Sequence, residues 1–301
     1  MQARERQNRS QAQIAATARL FSAAVVQELA RNGQSPLFGR LVRESILTAS
    51  VDATSTVASL FDHAFRILKQ KVHRHEYVYK AAIAQRILMG RHNLRTAAML
   101  SEFRAGPCKV DVAILNGTST AYEIKSERDR LDRLPDQLQA YLRMFAQVYV
   151  VTGQNHHDAV LRIAPNEVGV LILTDRYQLH TVRSALCDPN RLDASLVFDS
   201  LRSDEIRRIL ELNDVTLPFV PNTLERRTLR TEFLRLSPLQ VQSSMVQVLR
   251  QTRGQSALRR LIAASPQSLW AAICTTPIRK QDEDRLLSAL QTNAGIALTW
   301  A

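Results

Sequence analysis

The stretch that decides the fold is CKVDVAILNGTSTAYEIKSERDRLDRLPDQLQAY, residues 108–141. Within it, two runs of apolar and β-branched residues, Lys109 to Leu115 and Ser119 to Lys125, flank the dipeptide Asn116-Gly117. Asn-Gly between two such runs is a strong signal for a β-hairpin, because both residues tolerate the positive φ that a tight turn requires. We therefore predict two antiparallel strands here.

Further elements extend from this hairpin in both directions. Gly90 is placed to end the helix before the sheet, and Pro135 fits the helix after the hairpin only in its first turn. In chain order we predict helix Glu76 to Met89, strand Ala97 to Phe103, the two hairpin strands, helix Leu134 to Ala146, strand Gln147 to Thr152, a short helix within His156 to Ala164, and strand Val168 to Thr174. The last two strands are mainly apolar runs and are expected to be central and covered on both faces.

The remaining sequence has mainly helical patterns. Gln11 to Leu29 and Thr56 to Val72 carry apolar residues at helical spacing, and strand signals fade after about Arg183. The predicted regions are an N-terminal helical region at 1–70, an α/β core at 71–183 and a C-terminal helical region at 184–301.

Composition and charge narrow the class of protein. The 301 residues are 45% hydrophobic, which is enough to bury a core, and the net charge of +12 favours phosphate-bearing partners such as nucleic acid. No apolar run is long enough for a transmembrane helix, and the first residues lack the apolar stretch of a secretory signal. Three widely separated cysteines predict neither a disulfide framework nor a CxxC metal site. We expect a cytoplasmic protein without membrane contact.

Two acidic residues and a lysine in the hairpin strands are placed to act together. Asp111 lies on the first strand, whereas Glu123 and Lys125 lie two apart on the second and therefore point to the same face. Pairing across the turn brings the three together. Carboxylate oxygens suit Mg²⁺, with Mn²⁺ as a substitute, and a neighbouring lysine can orient or activate an attacking water. The alternative is an ordinary ion pair on a solvated strand face.

The element order together with D-x11-ExK resembles the PD-(D/E)XK, or restriction-endonuclease-like, nuclease superfamily. Asp111 matches the Asp of that motif, and Glu123-Ile124-Lys125 matches its ExK. Val110 stands where the motif customarily has Pro. The resemblance implies an α/β (α+β) fold with an αβββαβ core between the helical regions, and a metal-dependent phosphodiesterase activity.

Longer segments are similar to a family of uncharacterised bacterial proteins assigned to that superfamily. They are EYVYKAAIAQRILMGRH (76–92), MLSEFRAG (99–106), CKVDVAILNGTSTAYEIKSERDRLDRL (108–134) and QLQAY (137–141). The resemblance spans at least residues 71–152. It implies a nuclease-like protein and leaves the substrate open.

The resemblance also implies roles for individual residues. The implied metal ligands are Asp111, Glu123 and the carbonyl oxygen of Ile124, with Glu76 as an accessory acid. Glu102 is the other candidate to complete the set, because a carboxylate on the first strand could reach the metal from the neighbouring strand. Lys125 would assist the attacking water. Gln137 and Tyr141, four apart on one helix face, match the QxxxY element of one nuclease branch and would support the site or contact the substrate backbone.

Several of these residues have a structural alternative. Glu76 can be a favourable charge at a helix N-terminus, and Glu102 can pair across strands with Arg104 or Lys109. Gln137 and Tyr141 can be a polar residue beside a core tyrosine. The sequence alone does not decide between these interpretations.

The first functional hypothesis is a Mg²⁺-dependent nuclease acting on DNA, in phage defence or in a mobile element. Arg128, Arg130 and Arg133, in the loop after Lys125, are expected to contact the nucleic-acid backbone unless this loop is only a solvated turn. The alternatives are a catalytically silent module that binds nucleic acid or protein, and a toxin or regulator that a protein partner activates through the helical flanks.

Overall fold

A six-stranded mixed β-sheet follows the strand order of the chain, β1-β2-β3-β4-β5-β6. The computed structural model describes residues 2–47, 52 and 54–301, except for the side chains of residues 2–9 and 222. β3 pairs with β4 and β4 with β5 in parallel, and the other neighbours pair antiparallel. The strands are β1 Ala98–Ala105, β2 Cys108–Leu115, β3 Ser119–Lys125, β4 Gln147–Thr152, β5 Gly169–Leu173 and β6 Leu179–Arg183. The fold class is therefore α/β, as predicted.

Helices account for most of the other elements. They are α1 Gln2–Arg19, α2 Ala23–Asn32, α3 Pro36–Glu44, α4 Val57–Leu68, α5 Glu76–Ile83, α6 Leu134–Leu142, α7 His157–Ile163, α8 Ala194–Ser200, α9 Ser203–Glu211, α10 Asn222–Phe233, α11 Pro238–Thr252, α12 Arg259–Ala264, α13 Trp270–Thr275, α14 Glu283–Gln291 and α15 Ala294–Leu298. A π-helical turn at Ala84–Leu88 continues α5. No helix among the described residues is long and apolar enough to cross a bilayer.

The chain divides into two compact units. The first comprises Met1–Arg86, Asp175–Tyr177 and Ala257–Ala301, and the second comprises Ile87–Thr174 and Gln178–Ser256. Their limits differ from those of the three regions predicted from the sequence, because the last 45 residues group with the N-terminal helices.

Aromatic side chains form part of the core of the first unit. The Phe21 ring stacks on Tyr77 with a centroid distance of 4.4 Å and lies 5.5 Å from Phe61 and 5.9 Å from Phe65. Such rings bury large apolar areas and favour offset and edge-to-face contacts. They join α4 and α5 to the chain segment that precedes α2.

One face of the sheet forms the core of the second unit. Ala113, Ala121, Val150 and Val170 are buried on four neighbouring strands and belong to one apolar cluster with residues of α6, α8 and α11. Side chains two residues apart on a strand point to the same face. Glu123 and Lys125 therefore lie on the face that Ala121 occupies, at the end of β3 nearest to α6.

The outer edge of β1 is closed by a side chain. The Gln255 amide accepts a hydrogen bond from the Met99 N–H at 3.0 Å and donates one to the Met99 carbonyl at 2.7 Å. A side-chain amide offers the same donor and acceptor as a peptide group. Gln255 thus replaces a neighbouring strand at this residue, which protects part of an edge that would otherwise be open to other chains.

Most predicted elements of the α/β region are present. The strands around Asn116-Gly117 and the central strands β4 and β5 agree with prediction to within two residues, and Pro135 lies in the first turn of α6. The prediction of one helix from Gln11 to Leu29 is wrong, because Ser22 accepts a hydrogen bond from the Val25 N–H and starts α2 as a new helix. β6 was not predicted, since three of its five residues are exposed and it lacks an apolar run.

Candidate functional site

β2 and β3 part at the predicted acidic residues. Their backbone pairing ends at Val112 and Tyr122, although the register would place Asp111 opposite Glu123 at the next position. The Ile124 N–H donates instead to Asp111 Oδ2 at 2.6 Å. A carboxylate accepting a backbone N–H replaces the ladder bond, which fixes Asp111 beside the first residues of the ExK motif.

Glu123 and Lys125 form a buried ion pair. Lys125 Nζ lies 2.6 Å from Glu123 Oε1, and the two residues are 8% and 1% exposed. Burial raises the pKa of Glu123, whereas the charge and hydrogen bond of Lys125 lower it. The alternative of an ion pair on a solvated face is wrong for these two residues, because both are buried.

Helix α6 supplies two more side chains to this pair. Lys125 Nζ donates a hydrogen bond to Gln137 Oε1 at 2.9 Å, and the Tyr141 hydroxyl lies 2.9 Å from Glu123 Oε2 and 2.7 Å from the Lys109 carbonyl. Burial and the Glu123 carboxylate raise the pKa of Tyr141, so its hydroxyl remains a hydrogen-bond donor. We call Asp111, Glu123, Lys125, Gln137 and Tyr141 the acid–lysine network.

Glu102 lies next to this network on β1. The pairs Ser101 with Val112 and Phe103 with Val110 place Glu102 level with Asp111, and carboxylate oxygens of the two acids lie within 4.8 Å of one another. Glu102 has a φ of +52°, which is rare for a residue other than glycine and costs on the order of 1–3 kcal/mol. Strained backbone of this kind clusters at functional sites.

The other predicted site residues, Glu76 and the three arginines after β3, are exposed. Glu76 belongs to the first unit, where Lys80 Nζ lies 2.5 Å from its Oε1, at the i,i+4 spacing of one helix face. Its part in a metal site stays a prediction. Arg128, Arg130 and Arg133 are exposed in the loop between β3 and α6, and Arg130 pairs with Asp132, which is also exposed, at 2.8 Å.

Two residues that form hydrogen bonds at the end of β3 were not predicted from the sequence. Buried Thr152, at the end of β4, donates its hydroxyl to the Lys125 carbonyl at 2.8 Å. Asp129 Oδ2 accepts hydrogen bonds from both the N–H and the hydroxyl of Ser126. A polar residue closing an apolar run was the available signal for Thr152. A serine three residues before an aspartate was the signal for the loop contact.

Comparison with known proteins identifies a family whose model matches this chain. The model of the family described as "Bacteriophage P4 protein cII" matches residues 69–281, which is well over half of the chain. The chain belongs to this family. Among solved structures it is similar to the SPO1766 protein of unknown function from Silicibacter pomeroyi, at 23% identity and a TM-score of 0.30, with 47% of this chain and 94% of that chain covered. No curated protein matches the chain.

The part of the chain that matches the bacteriophage P4 protein cII family contains the whole acid–lysine network. It also contains Glu76, Glu102 and the arginines of the loop after β3, and it extends through α10 and α11 into the C-terminal helices. The family therefore covers the sheet together with most of the helices that follow it.

The acid–lysine network and the neighbouring Glu102 offer carboxylate oxygens, the ligand type that a hard divalent cation prefers. Mg²⁺ prefers carboxylate and carbonyl oxygens at about 2.0–2.1 Å. Asp111 Oδ2 is engaged by the Ile124 N–H, and the second oxygen of Asp111 and the carboxylate of Glu102 provide further oxygen atoms nearby. Both Glu123 oxygens face hydrogen-bond donors, Lys125 and Tyr141. The residues present therefore fit Mg²⁺ better than a metal that prefers sulfur or nitrogen ligands.

Proposed function

We propose that this protein is a Mg²⁺-dependent nuclease that hydrolyses phosphodiester bonds of DNA. The observation that carries the proposal is the Lys125 ammonium, which lies 2.6 Å from Glu123 Oε1 and 2.9 Å from Gln137 Oε1. Burying an ion pair costs desolvation energy that the pair only partly recovers, so stability alone is a weak reason to keep one. A catalytic role for Lys125 and Glu123 explains this buried ion pair better than stability does.

The acidic residues would hold the cation. Asp111, Glu123 and the Ile124 carbonyl are the proposed ligands, with Glu102 completing the set. When bound, a divalent cation neutralises charge on the phosphate and on the attacking oxygen. The hydrogen bond from the Ile124 N–H fixes the Asp111 carboxylate for this role.

Lys125 would position the water for in-line attack on phosphorus, and its positive charge would stabilise the negative charge that develops there. Gln137 and Tyr141 would keep Lys125 and Glu123 in their rotamers through the hydrogen bonds described above. A side chain held in this way needs no reorganisation when the reaction occurs.

The exposed arginines of the loop after β3 would contact the phosphate backbone next to the reacting bond. Arg128, Arg130 and Arg133 follow Lys125 within eight residues, and phosphate contacts set the position of a nucleic acid without reading its sequence. The helical regions at 1–70 and 184–301 would add substrate or protein-partner contacts. Membership of a bacteriophage protein family favours a role in a mobile element or in phage defence.

The test is cleavage by the purified protein of plasmid, linear duplex, single-stranded DNA and RNA, with Mg²⁺, Mn²⁺ or EDTA. We expect metal-dependent cleavage of DNA, and a loss of about 100-fold or more in Asp111→Asn and Lys125→Met. Asp132→Asn is the matched control, because this carboxylate is exposed and its ion pair is with Arg130 in the same loop. The proposal fails if wild type and Asp111→Asn behave identically on every substrate.

A further inference from the structure

Tyr177, in the first unit, has a hydroxyl that nothing in the described part of the chain satisfies. The residue is 8% exposed, and its hydroxyl oxygen is buried without a hydrogen-bond partner among the described residues. Burial raises the pKa of Tyr177, so the hydroxyl keeps its proton and remains a donor. A buried donor without an acceptor costs stability, and such groups in native proteins call for an explanation.

Cations surround this ring. Lys69 Nζ lies 5.2 Å from the Tyr177 ring centroid, and the Arg86 guanidinium carbon lies 5.8 Å from it. The charges of Arg86 and Arg74 lower the pKa of the Tyr177 hydroxyl against the effect of burial, so both guanidinium groups act on the hydroxyl. No carboxylate of the described residues forms an ion pair with Lys69 or Arg86.

We propose that Lys69, Arg74, Arg86 and Tyr177 form a binding site for a phosphate group. Two cations on one ring repel each other, and an anion between them removes that repulsion. Guanidinium groups match phosphate oxygens with paired N–H donors, and the tyrosine hydroxyl adds a neutral donor. Arg86 is exposed and Lys69 half-buried, so an arriving ligand meets these two side chains first.

The backbone around the site agrees with this role. Arg86 lies in the π-helical turn Ala84–Leu88, an uncommon conformation that is frequent at functional sites. Tyr177 has a φ of +58°, in the region that glycine or asparagine usually occupies in a tight turn. The chain therefore keeps a large aromatic residue where a smaller one would be less strained.

The experiment measures binding by calorimetry in EDTA, so that it does not depend on the proposed nuclease activity. The probes are inorganic phosphate and a short oligothymidylate with either a 5′-phosphate or a 5′-hydroxyl. We expect saturable binding by wild type, and at least a fivefold loss of affinity in Arg86→Ala and in Tyr177→Phe. Arg40→Ala, which removes an exposed arginine of the same unit, should stay within twofold of wild type.

The probes separate the sources of the phosphate. Preference for the 5′-phosphorylated oligonucleotide indicates a terminal or free phosphate, and equal affinity for both oligonucleotides indicates a backbone phosphate. Tyr177→Phe should unfold at a temperature no lower than wild type, because the lost hydroxyl has no protein partner among the described residues. If Tyr177→Phe unfolds at a lower temperature than wild type, the affinity of Arg86→Ala alone tests the phosphate site. Absence of saturable binding to all three probes, or Arg86→Ala binding as tightly as wild type, overturns the inference.

Discussion

The backbone of Glu102 offers a direct test of whether strain is retained for function. A non-glycine residue at φ +52° costs about 1–2 kcal/mol relative to glycine. In an ordinary strand the order is reversed, and glycine is less stable than alanine by roughly 0.5–1 kcal/mol. We therefore expect Glu102→Gly to have a higher free energy of unfolding than Glu102→Ala, by about 1 kcal/mol, as measured by urea denaturation.

Both Glu102 variants lack the carboxylate, so both should bind Mn²⁺ more weakly than wild type if Glu102 is a metal ligand. Glu102→Gln, which keeps the size of the side chain and the strained backbone, isolates the effect of charge on Mn²⁺ affinity. Greater stability of Glu102→Ala than of Glu102→Gly would contradict the strain argument, and unchanged Mn²⁺ affinity in all three variants would remove Glu102 from the metal site.

The sequence predicted which side chains lie close together in the site, but not the backbone conformation and hydrogen bonds that fix them there. Strand alternation and the Asn116-Gly117 turn were enough to bring Asp111, Glu123 and Lys125 together, because the periodicity of a strand depends only on the residues themselves. The φ of Glu102 and the bond from the Ile124 N–H to Asp111 could not be predicted. They arise where β2 and β3 part, which tertiary packing decides.

At the scale of elements, the edge of β1 depends on one residue. Gln255 donates to and accepts from the Met99 backbone and is 7% exposed. Gln255→Met has a similar volume but leaves a buried N–H and a buried carbonyl without these bonds, which costs about 1–3 kcal/mol for each group. We expect a loss of about 2–6 kcal/mol in the free energy of unfolding and faster hydrogen exchange at the Met99 amide.

Gln251→Met is the control for this change. Gln251 is exposed on α11, four residues before Gln255, so the same substitution there should alter stability by less than about 0.5 kcal/mol. Equal stability of the two variants would mean that Gln255 does not hold the edge of β1.

Elements with a strong periodic pattern were predictable, and elements defined by contacts were not. β4 and β5 are apolar runs of strand length, and both are present in the centre of the sheet. β6 has exposed residues at three of five positions and forms because it pairs with β5. The break between α1 and α2 depends on the Ser22 cap, which the surrounding apolar spacing concealed.

At the scale of the whole molecule, the two units combine distant segments of the chain. Residues 257–301 group with the N-terminal helices, and residues 175–177 join the same unit although they connect two strands of the other. Local sequence patterns carry no information on contacts between residues so far apart. The sequence therefore indicated helical regions at both ends correctly, but not that the two ends share one unit.

The net charge of +12 leads to a prediction about salt. Each phosphate that a protein neutralises contributes about −0.9 to the slope of log K against log salt concentration for duplex DNA. If Arg128, Arg130 and Arg133 contact the backbone, the variant with all three changed to alanine should have a slope shallower by about 2–3. This slope is measured by fluorescence anisotropy with a labelled duplex in EDTA at several salt concentrations. The control variant, Arg91→Ala, Arg95→Ala and Arg162→Ala, removes the same charge from exposed positions outside both helical regions and outside the loop after β3. Since net charge alone would change both slopes equally, the prediction requires a larger change in the loop variant, and equal changes would show that the loop after β3 makes no specific phosphate contact.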